Sequence, residues 1–119
     1  MNITINGSGC LVLVSPVPDD ILALSYPHFT VEEAPDGGLW LTLSPYLEVY
    51  DEEKIRSFLR ALNPYIRSGR IDCGLRALSG TESVVPEIHW AYYFIGGTLS
   101  RNVYADAKGP CLSAEYIDR

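Results

Sequence analysis

Two histidines, three cysteines and two adjacent carboxylate pairs are where chemistry would be sought in this 119-residue chain. His28 follows Pro27, and His89 sits beside Trp90 in a strand-like run. A metal site wants three or four ligands at recognisable spacing. The chain has no HxxxH, HExxH or CxxC pattern and no Cys/His cluster, so no metal is expected. Cys73, His89 and Asp72 could be assembled from adjacent strands as nucleophile, base and orienter, although nothing local supports that set. Ser8, in Gly7-Ser8-Gly9, lacks the strand-to-helix setting of a nucleophile elbow. The glycines show no phosphate-loop pattern, and no cofactor is expected. The pairs Asp19-Asp20 and Glu32-Glu33 could do acid–base work, but in a loop and an edge-like strand they are more simply solvated. Arg67, Arg70 and Arg76 could hold an anion, with pairing to nearby acids the simpler account. No catalytic residue is assigned, and the chain reads as non-enzymatic.

Those residues must be held by a chain of ordinary globular balance, 47% hydrophobic and 20% charged, long enough for one domain over 1–119 with its own core. No apolar run approaches the ~18 residues a bilayer span needs. The start has no basic region followed by an apolar stretch, and the cysteine count is odd, so a cytoplasmic protein with free thiols is expected. The net charge of −6 is uneven. Residues 1–38 hold five acids and no Lys or Arg, whereas residues 39–119 hold ten acids and nine bases. That balance disfavours nucleic acid and anionic membranes and favours a partner with a basic surface.

The pattern predicts an α+β fold: an antiparallel sheet of five to six strands packed on one main helix at about 51–66. Asp51 is a plausible N-cap, and Glu52 and Glu53 suit the first turn. Ile55, Phe58, Leu59 and Leu62 recur at helical spacing. Pro64 should stop or distort the helix between 62 and 67, with Gly69 as its C-terminal glycine. Asn6-Gly7-Ser8-Gly9 reads as the turn of a hairpin joining 2–5 to 10–14, because Asn-Gly is a strong hairpin signal. Asp19 could cap one or two helical turns through Leu24. A second hairpin is expected to pair 29–34 with 39–44 across Pro35-Asp36-Gly37-Gly38. Strands at 71–77, 87–95 and 98–105 form the closing meander, 79–86 is a loop, and 108–119 carry no strong pattern.

On the strand 87–95, Ile88, Trp90, Tyr92 and Phe94 share one face, and His89, Ala91, Tyr93 and Ile95 the other. One stripe must meet the helix. The second faces another layer or a partner, and Tyr and Trp are enriched at interface hot spots.

The run Phe58 to Ile71, with Leu62-Asn63-Pro64-Tyr65-Ile66-Arg67-Ser68-Gly69 at its centre, is followed by Trp90-Ala91-Tyr92-Tyr93-Phe94. It resembles small uncharacterised bacterial proteins, many from phages and integrative elements. These carry a helix, then L-x-P-Y-I-x-x-G, then a strand pair with W-x-Y-x-F. The similarity covers a third to a half of the chain. The acidic Gly-rich turn of those proteins is replaced here by Ser79 to Pro86. The resemblance implies a fold more than a function, because no activity comes with it; the association with mobile elements favours a role in binding, including that of inhibitors of host defence such as anti-CRISPR proteins.

The leading expectation is a protein-binding module that uses Asp19, Asp20, Glu32, Glu33, Trp40, His89 and Tyr93. The alternatives are a small-molecule or nucleotide-binding domain using the sheet face with His89, Tyr93 and Arg76, and a structural subunit that self-associates through the strand at 98–105. Oligomeric state is left open.

Overall fold

A computed structural model describes residues 3–77, 89–105 and 109–118. The fold is α+β, as the pattern predicts, but among the described residues the antiparallel sheet has seven strands instead of five or six, and there are two α-helices. In chain order these are β1 (Ile3–Leu13), α1 (Asp19–Leu22), β2 (Phe29–Glu33), β3 (Leu39–Leu43), α2 (Glu52–Leu62), β4 (Ile66–Ala77), β5 (His89–Ile95), β6 (Thr98–Tyr104) and β7 (Cys111–Asp118). The strand order is β2-β3-β1-β4-β5-β6-β7, so β1 and β4 are central and β2 and β7 are the edges. Among the described residues no helix is long and apolar enough to cross a membrane.

The N-terminal hairpin expected at Asn6 to Gly9 does not form. The chain passes straight through as β1, pairing with β4 from Ile3–Ala77 to Leu13–Ile66 and with β3 from Ser8–Thr42 to Leu11–Leu39. The glycines serve close approach. A Cβ on Gly9 would lie 1.9 Å from the Arg70 carbonyl oxygen, and one on Gly7 2.8 Å from Cys73 Sγ. Gly69, expected to end the helix, lies in β4, where a Cβ would stand 2.8 Å from the Cys10 carbonyl oxygen.

The main helix carries the expected stripe: Ile55, Phe58, Leu59 and Leu62 are all buried. They join Ile5, Leu11, Leu41, Ile71, Tyr92, Phe94 and Leu99 in one core, with the Phe29 and Phe58 rings 5.7 Å apart. Asp51 Oδ1 accepts from the Lys54 amide at 3.2 Å and caps the helix. The helix stops at Leu62, the near end of the expected 62–67, and its last turn is distorted. Asn63–Tyr65 turn once as a 3-10 helix, and Ile66 is already strand. Pro64 lacks the N–H that a further α-turn requires. Asn63 is buried, and its amide donates to the Gly97 carbonyl (2.7 Å) and Asp118 Oδ2 (3.0 Å). The helix end is thereby tied to the β5–β6 turn and to β7.

The second hairpin is as expected, pairing Phe29–Leu43 to Glu33–Leu39. The short helix begins at Asp19, preceded by Pro18 in the capping position, so Asp19 is its first residue and not its cap. Residues 111–118, which show no pattern, form β7, whose first six residues are exposed. The expected loop 79–86 and strand residues 87 and 88 lie outside the described residues.

Candidate binding surface

Strand alternation divides the sheet into two faces. Leu11, Leu41, Ile71, Tyr92 and Leu99 point to the helix and are buried. None of the described elements packs on the other face. Cross-strand register draws one row of side chains over it, through Glu32, Trp40, Cys10, Arg70, Tyr93, Ser100 and Tyr116. Trp40 is 42% exposed and Tyr116 60%. One row further along, Val12, Ser68, Ile95 and Thr98 are aligned, with Ile95 66% exposed.

The centre of the row is held rigid. The Arg70 guanidinium lies over the Tyr93 ring, 4.9 Å from its centroid, and its Nε is 2.6 Å from Asp72 Oδ1. The Tyr93 and Tyr104 hydroxyls share a 2.6 Å hydrogen bond. Desolvation, and then that bond, push the Tyr93 phenol up to about 12, so it is a neutral hydroxyl at working pH. Arg70 is thus paired to Asp72, which is the simpler account for that one of the three arginines. The Arg76 side chain lies outside the described residues.

Four of the seven expected site residues fall on this face: Glu32, Trp40, His89 and Tyr93. His89, half-buried, opens β5 opposite Gly74 and Tyr104. The acids do not form one patch. Glu33 turns to the helix side of β2, where it and Asp19 line a groove with Leu13, Val17, Leu22 and Leu39. Asp20 is exposed on α1. Ile95 lies on it with His89 and Tyr93, as the strand alternation predicts, and Arg70, Cys10 and Tyr116 belong to the surface without having been singled out for it. Arg70 follows from alternation once the β4–β5 register is known.

The Cys73–His89–Asp72 set is excluded by the same alternation. Cys73 is buried on the helix face opposite Trp90, while Asp72 and His89 point to the other face. Burial pushes the Cys73 thiol up to about 12, with the carboxylates of Glu52 and Asp72 adding to it.

A polar cluster lies beneath the start of the main helix. Glu52 accepts from Arg56 Nε (3.1 Å), from Tyr92 Oη (2.7 Å) and from Tyr50 Oη, and its Oε1 is 2.9 Å from Arg101 Nε. Arg56 also pairs with Glu115 on β7. Burial, reinforced by Glu52, raises the phenols of Tyr50 and Tyr92 far above 10. These phenols hold their protons throughout the physiological range, and both hydroxyls bond Glu52, which joins the helix start to the sheet. Among the described residues no group of three His, Cys, Asp or Glu could hold a metal.

No family model matches the chain, and no curated protein or solved structure matches it either.

Proposed function

We propose that this protein is a non-enzymatic binding module that engages a protein partner through the uncovered face of its sheet. The observation that carries the reading is the row Trp40, Arg70, Tyr93 and Tyr116 on a face that no described element covers. Trp, Tyr and Arg dominate interface hot spots, and stacking on Tyr93 limits what Arg70 loses when it is immobilised. Seven strands at ~4.8 Å spacing give a width of about 29 Å, and about seven residues of strand give about 23 Å. The resulting face of about 670 Å² is of the order of the ~800 Å² per partner in a standard interface. The net charge of −6 suits a basic partner. An inhibitor of a host defence protein, the role implied by the sequence resemblance, is one form such a module takes.

The small-molecule reading has less support. The hollows on or beside this face, of about 250 Å³ at Ser100, Asn102 and Tyr116 and about 520 Å³ at Asn6, Ser8, Thr42 and Asp72, are shallow and open. Self-association through the strand at 98–105 meets an obstacle: β6 is flanked by β5 and β7, and the free edges lie elsewhere.

The test is capture of the partner from the native host with the full chain as bait, followed by titration calorimetry with Trp40→Ala and Tyr93→Ala. Each substitution should weaken binding at least tenfold, about 1.4 kcal/mol or more, while the circular dichroism of the folded protein is retained at the assay temperature. Wild-type affinity in both would remove the face from the interface.

A further inference from the structure

We propose that the groove between α1 and the ends of β1, β2 and β3 receives an arginine side chain of the protein partner. This inference rests on the binding-module reading for its occupant, but it concerns a different surface. The groove is open to solvent along its length and offers about 390 Å³. Its walls are Leu13, Val17, Leu22 and Leu39, and two carboxylates stand in it, Asp19 from the first turn of α1 and Glu33 from the last position of β2. Among the described residues neither carboxylate has an ion pair or a side-chain hydrogen bond. No Lys or Arg lines the groove, and residues 1–38 contain none.

The two halves of this lining ask for different things. Apolar walls alone would take an aliphatic group, and exposed carboxylates alone would take any cation. Together they match a side chain with an apolar stem and a charged head. Arginine fits better than lysine. Its planar guanidinium is weakly hydrated, lies flat on apolar surface and directs donors toward two separate acceptors. The placement also joins the groove to the uncovered face. Glu32 and Glu33 are neighbours on the edge strand β2, the first on the face and the second in the groove. A partner lying on the face reaches the groove by turning round that edge.

The full-length protein, labelled with 15N, is titrated with the peptide acetyl-Gly-Arg-Gly-amide. Its citrulline counterpart, of the same shape without the charge, is the control, and spermidine is a third arm. The arginyl peptide should shift the amides of Val14, Val17, Leu22 and Gly37 saturably in the millimolar range. The citrulline peptide should not. The double variant D19N/E33Q, whose spectrum should stay dispersed because both residues are exposed, should bind at least fivefold more weakly, and Trp40→Ala should bind as wild type. Equal shifts with citrulline, no saturable shift in the groove, or undiminished binding by D19N/E33Q would overturn the proposal, and tighter binding of spermidine would replace the arginine by a polyamine. The titration needs no partner. A groove that fails here therefore leaves the sheet-face reading standing, and wild-type partner binding by the Trp40 and Tyr93 variants sinks the face alone.

Discussion

Burial and charge sort the three thiols. Cys111 is exposed on β7, Cys10 is half-exposed on the uncovered face, and Cys73 is held in the core with its pKa pushed up to about 12. A disulfide-exchange reagent at pH 8 should modify Cys111 first, Cys10 next, and Cys73 only when the protein unfolds; rapid reaction of all three would contradict the packing. The same burial makes stability depend on pH. A thiol whose folded pKa is raised from 9.0 contributes fully below pH 9, and that contribution is lost as pH rises from 9 through about 12. Tyr50 and Tyr92, raised above 10, add losses in the same direction above pH 10. The melting temperature should therefore fall from pH 9 upward, and Cys73→Ala should move the onset toward pH 10. A flat profile from pH 8 to 11 would refute this. Gly9 gives a steric counterpart. A methyl 1.9 Å from the Arg70 carbonyl cannot be accommodated, so Gly9→Ala should cost about 3 kcal/mol or more in a denaturant melt. An Asn-Gly pair offers the same local chemistry to a turn and to a crowded strand, and nothing in residues 6–9 alone separates them.

At the scale of elements, the helix and the edge strand are held by different means. The helix buries four apolar side chains at helical spacing, so Phe58→Ala should cost about 3–5 kcal/mol. That spacing is also why it was legible from residues 55–62. The strand β7 shows no apolar alternation, and most of its side chains are exposed. It is made by backbone pairing to β6, by the Arg56–Glu115 ion pair and by the bond from Asn63 to Asp118. These partners lie some fifty-five to sixty residues upstream, and no local window contains them. The hydrogen bond from Arg56 holds the Glu115 carboxyl below its ordinary 4.5. Its contribution is present above pH 4.5 and lost as pH falls below that. Because the carboxylate is half exposed, the effect is small. Glu115→Gln should lower stability slightly at pH 7, leave it unchanged at pH 3 and so flatten the acid limb of the profile; an unchanged acid limb would show that the pair contributes nothing.

For the whole molecule, the acidic first third is divided between two surfaces that meet at the edge strand β2. Reversing Asp19, Asp20, Glu32 and Glu33 to Lys should weaken partner binding mainly through the association rate and reduce its dependence on salt. Unchanged kinetics in a surface-binding assay would exclude electrostatic steering by these groups. The acids themselves stand out in the sequence. Their division does not, because it depends on the alternation at Glu32 and Glu33 and on the passage of Leu13 and Leu39 beneath α1. The two-sided sheet is legible in the strand at 87–95, which carries bulky side chains on both of its stripes. The row across its open face is not, since it runs through the junction of β1 with β4.

That junction also has a kinetic consequence. It joins Ile3 to Ala77 and Leu13 to Ile66, while the β2–β3 hairpin on one side and the β5–β6 hairpin on the other close over short stretches of chain. The two flanks can organise early, each from its own neighbours, and the central seam must wait for a long loop to close. Folding should accordingly take milliseconds to seconds. With the seam zipping late, Gly9→Ala should accelerate unfolding far more than it slows refolding, whereas a hairpin substitution on either flank should act chiefly on the refolding rate.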